Sequence, residues 1–391
     1  MPGAFDFWDP GRQIRREVHR EVLGDYSSPG RRRYSWVRPS TREPPRVSFS
    51  EPRQPPRWSS SYFGSMRPSQ QGAHRSFSSS SSQVRRRFVT VKALTGSDRG
   101  NFNEGVYLVH DKNNPRAFYI EKRIKTKDVQ DFHGWREVKA LDSCKHRNIV
   151  GLIGSELNDL SPGYGSIYMQ FCELGSLFAC IKNFKQHGRS MSEGFIWSIF
   201  FQLSLAICYL QTGCDATEDA REGKQTLPRR DWVPILHRDI KPDNCLITWK
   251  DVSSRSGYPT LVLGDFGCSL KKNHAKERRE ISRHVSRCQP KFTAPETPSY
   301  STTADIYSLG KTMSCVARLT GGPDEHCIAE GRPIPSHYSD DLQGLVGQCI
   351  EYDKNRRPRA TDLPTYVYQC KKRAERWRGY TSAIPDWAFP R

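Results

Sequence analysis

The first 87 residues contain no lysine, few aliphatic side chains and no apolar spacing of 2 or 3.6. A segment so short of buriable surface cannot offset the entropy of ordering itself, so no folded core is expected there. The chain also lacks any Cys-x-x-Cys pair, and its twelve cysteines are dispersed from Cys144 to Cys370. That spacing gives no support to a zinc site or a disulfide framework, and reduced thiols are expected. No apolar stretch near the start resembles a secretory signal. The longest apolar run, Phe195 to Leu210, is 16 residues interrupted by Ser198, Gln202 and Ser204. A spanning helix needs about 20 apolar residues, so this run suits the core of a large lobe and no transmembrane segment is expected.

What the first 87 residues do contain is arginine, 17 of them against seven acids, about half of the net charge of +19. Proline clusters around Pro44, Pro45, Pro55 and Pro56 and the serine run Ser78 to Ser82 complete a basic, low-complexity tail, with a short helix over 13–23 as the one ordered alternative. Such a tail can meet an acidic protein, acidic lipid or nucleic acid through a salt-sensitive Coulomb attraction, or simply stay solvated. No RNA- or DNA-binding motif accompanies the charge.

From Phe88 the character changes. Short β-branched and aromatic runs at Phe88–Val91, Val106–Val109 and Phe118–Ile120 are separated by turn formers and read as hairpin strands. A helical pattern over 132–141 follows, then strand-like runs at 149–153 and 166–171, after which helices dominate. A strand-rich part joined to a helix-rich part near Gln170–Glu173 implies two lobes with a cleft between them. The polar stretch 211–233 reads as a surface loop, and a last helix is expected over 363–378 before an irregular tail.

Three short motifs stand in order within the helical part: His237-Arg238-Asp239-Ile240-Lys241-Pro242-Asp243-Asn244, then Asp265-Phe266-Gly267, then Ala294-Pro295-Glu296. A lone Asp-Phe-Gly is an ordinary turn. In this order and at this spacing the three resemble the catalytic loop, metal-binding turn and activation-segment end of eukaryotic protein kinases over about residues 88 to 378. The resemblance implies an α+β, two-lobed fold: a small antiparallel-sheet lobe with one main helix over 88–170, and a larger helical lobe over 171–378. It leaves 1–87 and 379–391 as tails.

The same resemblance implies a role for each matching residue. Asp239 would accept the proton of a substrate hydroxyl and Lys241 would contact the moving phosphate, the Lys-Pro form being that of serine/threonine kinases. Asn244 and Asp265 would hold Mg2+. Lys122, on the third strand, would reach the phosphates of ATP, held by Glu137 of the helix. Val106, Ile120, Met169 as gatekeeper, Gln170, Cys172 and Leu246 would surround the adenine, with Gly100 and Gly105 in the phosphate loop. His237, Arg238, Phe266, Gly267, Glu296 paired with Arg357, and Asp305 would carry structural duties. Leu141, Leu152, His237 and Phe266 would form an internal apolar column. The basic activation segment carries Ser282 and Ser286 as candidate phosphorylation sites, whose phosphate would meet Arg238.

The chain departs from the family pattern at three points. Asn103 stands where the third loop glycine is expected, Ile120 where alanine usually covers the adenine, and Gln289 where serine/threonine kinases carry threonine. These departures keep open a second reading, a pseudokinase or scaffold that binds partners without phosphoryl transfer. A P-loop NTPase, suggested by Gly310-Lys311-Thr312, fails because position 305 is Asp305 where the first loop glycine must stand. The expected protein is thus an intracellular, cytoplasmic or nuclear, ATP- and Mg2+-dependent kinase acting on a protein serine or threonine. Within the family, Cys172-Glu173-Leu174-Gly175-Ser176-Leu177 together with the two cleft motifs is most similar to the never-in-mitosis-related group. Its protein substrate, pathway and oligomeric state are not written in these residues.

Overall fold

In the computed structural model the described residues are 81–94, 103–249, 257–271, 289–297, 300–378 and 384–389. Residues 1–80 of the tail expected over 1–87, with its 13–23 helix and the charge expected to meet an acidic or nucleic-acid partner, and Gly100, Ser282 and Ser286 all fall outside them.

The first element corrects a boundary. Residues Ser81–Arg87, assigned above to the tail, form helix α1, which runs into strand β1 (Phe88–Ala93). Val84 of the helix packs in one small cluster with Phe88, the first residue of the strand, and with Val109 and Tyr168. Phe88 stacks on Tyr168 with centroids 4.4 Å apart, and Val84 sits over Gly154. Arg85 donates to Asp159 Oδ2 (3.3 Å) and to the carbonyls of Asp159 and Tyr164, while Arg87 donates to Asp111 at 2.7 Å. A chain starting at residue 88 should therefore melt a few degrees below one starting at residue 75. The lost packing and half-exposed ion pairs are together worth ~1–2 kcal/mol. Equal melting temperatures would make the contact idle.

Strands β2 (Asn103–Asp111), β3 (Asn114–Lys125), β4 (Leu152–Glu156) and β5 (Tyr164–Gln170) complete an antiparallel sheet of order β1-β2-β3-β5-β4. The exposed edge, β1, carries a bulge between Thr90 and Lys92, an irregularity that blunts edge-to-edge pairing. A short helix α2 (Thr126–Gln130) leads to α3 (His133–Ser143), which buries Glu137, Ala140 and Leu141. The fourth strand starts at Leu152, later than the expected 149. Ile149 and Val150 instead turn to the other lobe, Val150 N–H donating to the Leu263 carbonyl at 2.9 Å.

In the larger lobe α4 (Leu177–Gln186) starts at Ser176, whose hydroxyl caps Ala179 N–H, and α5 (Glu193–Thr212) starts at Ser192, which caps Phe195 N–H. The expected 16-residue apolar run is thus part of a 20-residue helix, ended by Gly213 in the left-handed region (φ 73°). By length and composition it could cross a membrane, but 94% of its apolar window is buried inside the protein. It lies against α7 (Ala304–Arg318), α10 (Leu363–Arg378) and strand β8 (Thr260–Leu263) as the central helix of the lobe.

The stretch 211–233 is not simply a surface loop. It contains α6 (Thr217–Glu222), with Ala216 and Ala220 fully buried, and Trp232 Nε1 donates to the Leu210 carbonyl. Small apolar residues four apart give this helix a face to bury against α10. Helices α8 (Glu325–Ala329) and α9 (Asp340–Cys349) finish the lobe. Between the lobes lie two short ribbons: β6 (Ile235–Leu236) with β9 (Leu270–Lys271), and β7 (Cys245–Thr248) with β8. The irregular tail expected beyond 378 also needs correction, since residues 384–389 carry a 3-10 turn at Asp386–Ala388 that joins the main core.

Candidate active site

Alternation along β3 puts Ile120, Lys122 and Ile124 on one face, and Lys122 pairs across the sheet with Val106, Ile120 with Leu108 and Met169. Glu121 points the other way and is buried with Ser166, Tyr168 and Arg123 as hydrogen-bond donors. The Lys122 ammonium, 6% exposed, donates to both carboxylate oxygens of Glu137 (2.8 and 2.9 Å) and to Asp265 Oδ1 at 2.8 Å. One cation is therefore shared by two carboxylates from α3 and from the turn after β8.

The electrostatics follow from that sharing. Burial would lower the Lys122 pKa, but Asp265 and Glu137 outweigh it and hold the ammonium above its ordinary value. Packing around Asp265 opposes its ionisation, yet Lys122 by charge and hydrogen bond, with Lys241 and His237 beyond, holds the carboxyl well below the usual range. Its side chain is 47% exposed to the open cleft, so the desolvation opposing that shift is the lesser effect. Glu137 goes the other way: burial raises its pKa more than its share of Lys122 lowers it, and the Asp265 charge adds to the rise.

The second cluster is built on one loop. Asp305 of α7, buried, accepts the backbone N–H groups of His237 (2.7 Å) and Arg238 (2.8 Å). His237 Nε2 meets the Gly264 carbonyl at 2.9 Å, and its ring stands edge-on to Phe266 at 4.7 Å. Leu141 and Phe266 share the main core, with Leu152 packed against it. Held this way, Arg238 takes φ +70° and Asp265 φ +57°, conformations that non-glycine residues adopt only under constraint. Asp239 then receives Lys241 Nζ at 2.8 Å and Asn244 Nδ2 at 2.9 Å, both on Oδ2. Burial alone would lower the Lys241 pKa, but the Asp239 carboxylate more than compensates and raises it.

Behind the loop, Arg238 lies with its guanidinium 4.4 Å over the Tyr300 ring, and its Nε and Nη2 meet no hydrogen-bond acceptor among the described residues. Glu296 and Arg357 form a two-pronged pair (2.8 and 2.9 Å), which with the Ser301 hydroxyl overcomes burial and lowers the Glu296 pKa.

The three departures look different in three dimensions. Glu104 is an inserted residue: the ladder between β2 and β3 slips between Asn103, paired with Ile124, and Gly105, paired with Arg123, and Gly105 takes φ +148°. The bulge absorbs the extra residue and returns Val106 to the face of Lys122. A Cβ at 105 would stand 2.9 Å from the Tyr107 ring, which is itself stacked under Arg123 at 3.8 Å. Gly105→Ala should cost about 1–3 kcal/mol, read as a lower melting temperature, and weaken nucleotide binding together with it. Unchanged stability would mean that the bulge relaxes freely.

Gln289 faces Asp239 through its backbone N–H, 3.5 Å from Oδ1, so this contact does not depend on its side chain. Ile120 is partly buried between Leu108 and Met169. At the hinge, Gln170 gives its N–H to the Gly151 carbonyl (2.9 Å), and the Cys172 carbonyl accepts Gly175 N–H (3.2 Å). A donor from Gln170 to a base is thus not to be expected, only its carbonyl. Leu246 lies on β7, partly exposed. Sequence reasoning missed Glu173, which accepts both Thr248 Oγ1 and Trp249 N–H at 2.6 Å. The signal was available: it is the one acid in the hinge run 170–177.

Asn244 and Asp265 present hard oxygen donors, which suit Mg2+ better than a softer metal, and Asn244 directs its NH2 to Asp239, turning its amide oxygen away from that carboxylate.

Comparison with known proteins agrees with this geometry. The family description "Protein kinase domain" matches residues 99–368. Similar curated proteins include the G2-specific protein kinase nim-1 of Neurospora crassa, 29% identical over 62% of this chain and 28% of the relative. The G2-specific protein kinase nimA of Emericella nidulans is 29% identical over 61% of this chain and 35% of the relative. The fin1 kinase of Schizosaccharomyces pombe is 30% identical over 58% and 31%. The chain thus spans about a third of the length of these relatives. The matches bear out the resemblance to the never-in-mitosis-related group.

Proposed function

This chain belongs to the protein kinase family, and from that premise we propose that it transfers the terminal phosphoryl group of ATP to a serine or threonine hydroxyl of a protein. The single observation that carries the reading is the convergence of two clusters on one cleft: Lys122 with Glu137 and Asp265, and Asp239 with Lys241 and Asn244.

Asp239 is buried, fixed by two donors on Oδ2, with Oδ1 turned toward the segment 289–293. There it orients a hydroxyl and takes its proton as the oxygen attacks the terminal phosphorus. The bond to the ADP oxygen breaks, and ADP leaves with that electron pair. Lys241, cationic and 14% exposed, balances charge on the transferring group. Lys122 holds the phosphates of ATP, and Glu137 fixes the direction of its ammonium. Asn244 and Asp265 would hold Mg2+, which when bound would neutralise charge on the phosphate oxygens. Val106, Ile120, Met169 and Leu246 enclose the base.

The departures do not weaken this reading, because the Gly105 bulge restores Val106 and the Gln289 contact is made by backbone. Arg238, with two buried nitrogens that meet no acceptor among the described residues, suits a phosphate on Ser282 or Ser286. The test is labelled phosphate transfer from ATP and Mg2+ to a generic protein substrate, comparing the wild type with Asp239 and Lys122 variants. Equal transfer by all three would sink the catalytic reading.

A further inference from the structure

Beyond α10 the sequence reads Ile384-Pro385-Asp386-Trp387-Ala388-Phe389, two aromatic residues either side of an alanine. Ala388 N–H donates to the Pro385 carbonyl at 2.9 Å and closes a turn. Trp387 lies flat on the His187 imidazole just past the end of α4, centroids 4.1 Å apart and 11° from parallel, and edge-on to Phe184 at 5.0 Å. Ala388 is completely buried and Phe389 nearly so, the latter edge-on to Trp249 at 6.2 Å. The segment fills a groove between α4 and the turn after β7.

The groove's far wall is tied to the hinge. Trp249 N–H and Thr248 Oγ1 each donate to a different oxygen of Glu173, both at 2.6 Å. Next along, Leu174 N–H donates to the Ile247 carbonyl and Ile247 N–H to the Gly175 carbonyl. Hinge residues 173–176 are therefore zipped to β7, the strand that carries Leu246, and α4 begins one residue later. A segment that packs on the C-terminal end of α4 through Trp387 and on Trp249 through Phe389 touches this zipper directly at the Trp249 end and reaches its other end along α4.

We propose that the groove of Phe184, His187 and Trp249 is a receptor for the Trp387-Ala388-Phe389 strap of the same chain, and that its occupancy is coupled through Glu173 to nucleotide binding in the cleft. The proposal rests on the nucleotide-binding reading above. Docked, the strap holds the hinge in the arrangement that receives the base. Undocked, the hinge must be ordered by the nucleotide itself, and affinity falls by the fraction of chains that are competent. Linkage makes the effect reciprocal, so bound nucleotide tightens the strap.

The experiment uses the full chain carrying both Trp387→Ala and Phe389→Ala. Its Kd for Mg-ATP should rise about five- to tenfold with little change in kcat. Free peptide Ile-Pro-Asp-Trp-Ala-Phe at millimolar concentration should restore the wild-type value. Glu173→Gln should give a rise that is not additive with the strap variant. If the double variant fails to fold, Phe389→Leu is titrated in the same way, with a smaller rise expected. An unchanged Kd in a folded strap variant overturns the coupling. A wild-type Kd that varies with protein concentration would mean that a second copy fills the groove, and overturns the assignment to the same chain. If the wild type binds no ATP, the nucleotide reading fails instead. Docking is then read from amide hydrogen exchange of residues 177–187, which the variant should speed and the peptide should slow; no change in exchange overturns docking as well.

Discussion

Asp239→Asn should reduce phosphate transfer to a protein substrate by roughly 10²- to 10⁴-fold, the span typical of a positioned general base, while leaving the melting temperature and Mg-ATP affinity close to wild type. The substitution keeps size and one acceptor. With its oxygen at the Oδ2 position it still receives Lys241 Nζ and Asn244 Nδ2, which are 2.8 and 2.9 Å from that atom in the wild type. The amide NH2 then occupies the Oδ1 position, facing Gln289 N–H at 3.5 Å and the approach of a substrate hydroxyl. Donor meets donor there, and the attacking proton has no acceptor. The loss should fall on kcat, because the interaction is made only as the hydroxyl is deprotonated. Transfer at the wild-type rate would remove Asp239 from the chemistry. A variant that loses ATP affinity as well would show that Asp239 chiefly supports the loop.

The reach of the sequence ends where contacts stop being local. The loop from His237 to Asn244 could be read directly because Asp239, Lys241 and Asn244 are neighbours in the chain and meet within it. The pair Lys122 and Glu137 was legible only through the resemblance and its motif order, because a lysine and a glutamate at this separation are by themselves ordinary surface charges. The resemblance supplied Asp265 as a metal ligand, but its contact with Lys122 across 143 residues was not expected. What escaped was decided by packing between distant segments. The bulge between Asn103 and Gly105 inserts Glu104 without any compositional mark, since a glycine beside it is expected in such a loop anyway. Helix α1 hid in an arginine-rich context, and Val84 finds its place only in the cluster with Phe88, Val109 and Tyr168. The strap at 384–389 has no periodicity, and its two aromatic residues acquire meaning only beside Phe184, His187 and Trp249.

Lys122→Met should abolish detectable transfer and also destabilise the fold, by about 3 kcal/mol at neutral pH, because it leaves Glu137 buried without its cation. Methionine fills similar volume, so the loss reflects charge more than a cavity. The sign of the pH dependence separates the two. In the wild type, the lowered pKa of Asp265 contributes stability that is present above its ordinary value of 3.8 and is lost as pH falls through its folded value. The raised pKa of Lys122 contributes stability that is present below its ordinary 10.5 and lost only as pH rises through the folded value. In the variant the Lys122 contribution vanishes and that of Asp265 shrinks to what Lys241 and His237 supply. Glu137, already raised by burial above its ordinary 4.5, then rises further and binds a proton in the folded state that the unfolded chain gives up. Stability of the variant should therefore grow as pH falls from 7 toward 5, while that of the wild type should not gain from this group to the same extent. The two unfolding free energies, from denaturant titrations at pH 5, 6 and 7, should converge toward acid. A gap that stays constant across that range would show that Glu137 finds another partner when Lys122 is gone, and that the buried ion pair contributes little to holding α3 against the cleft.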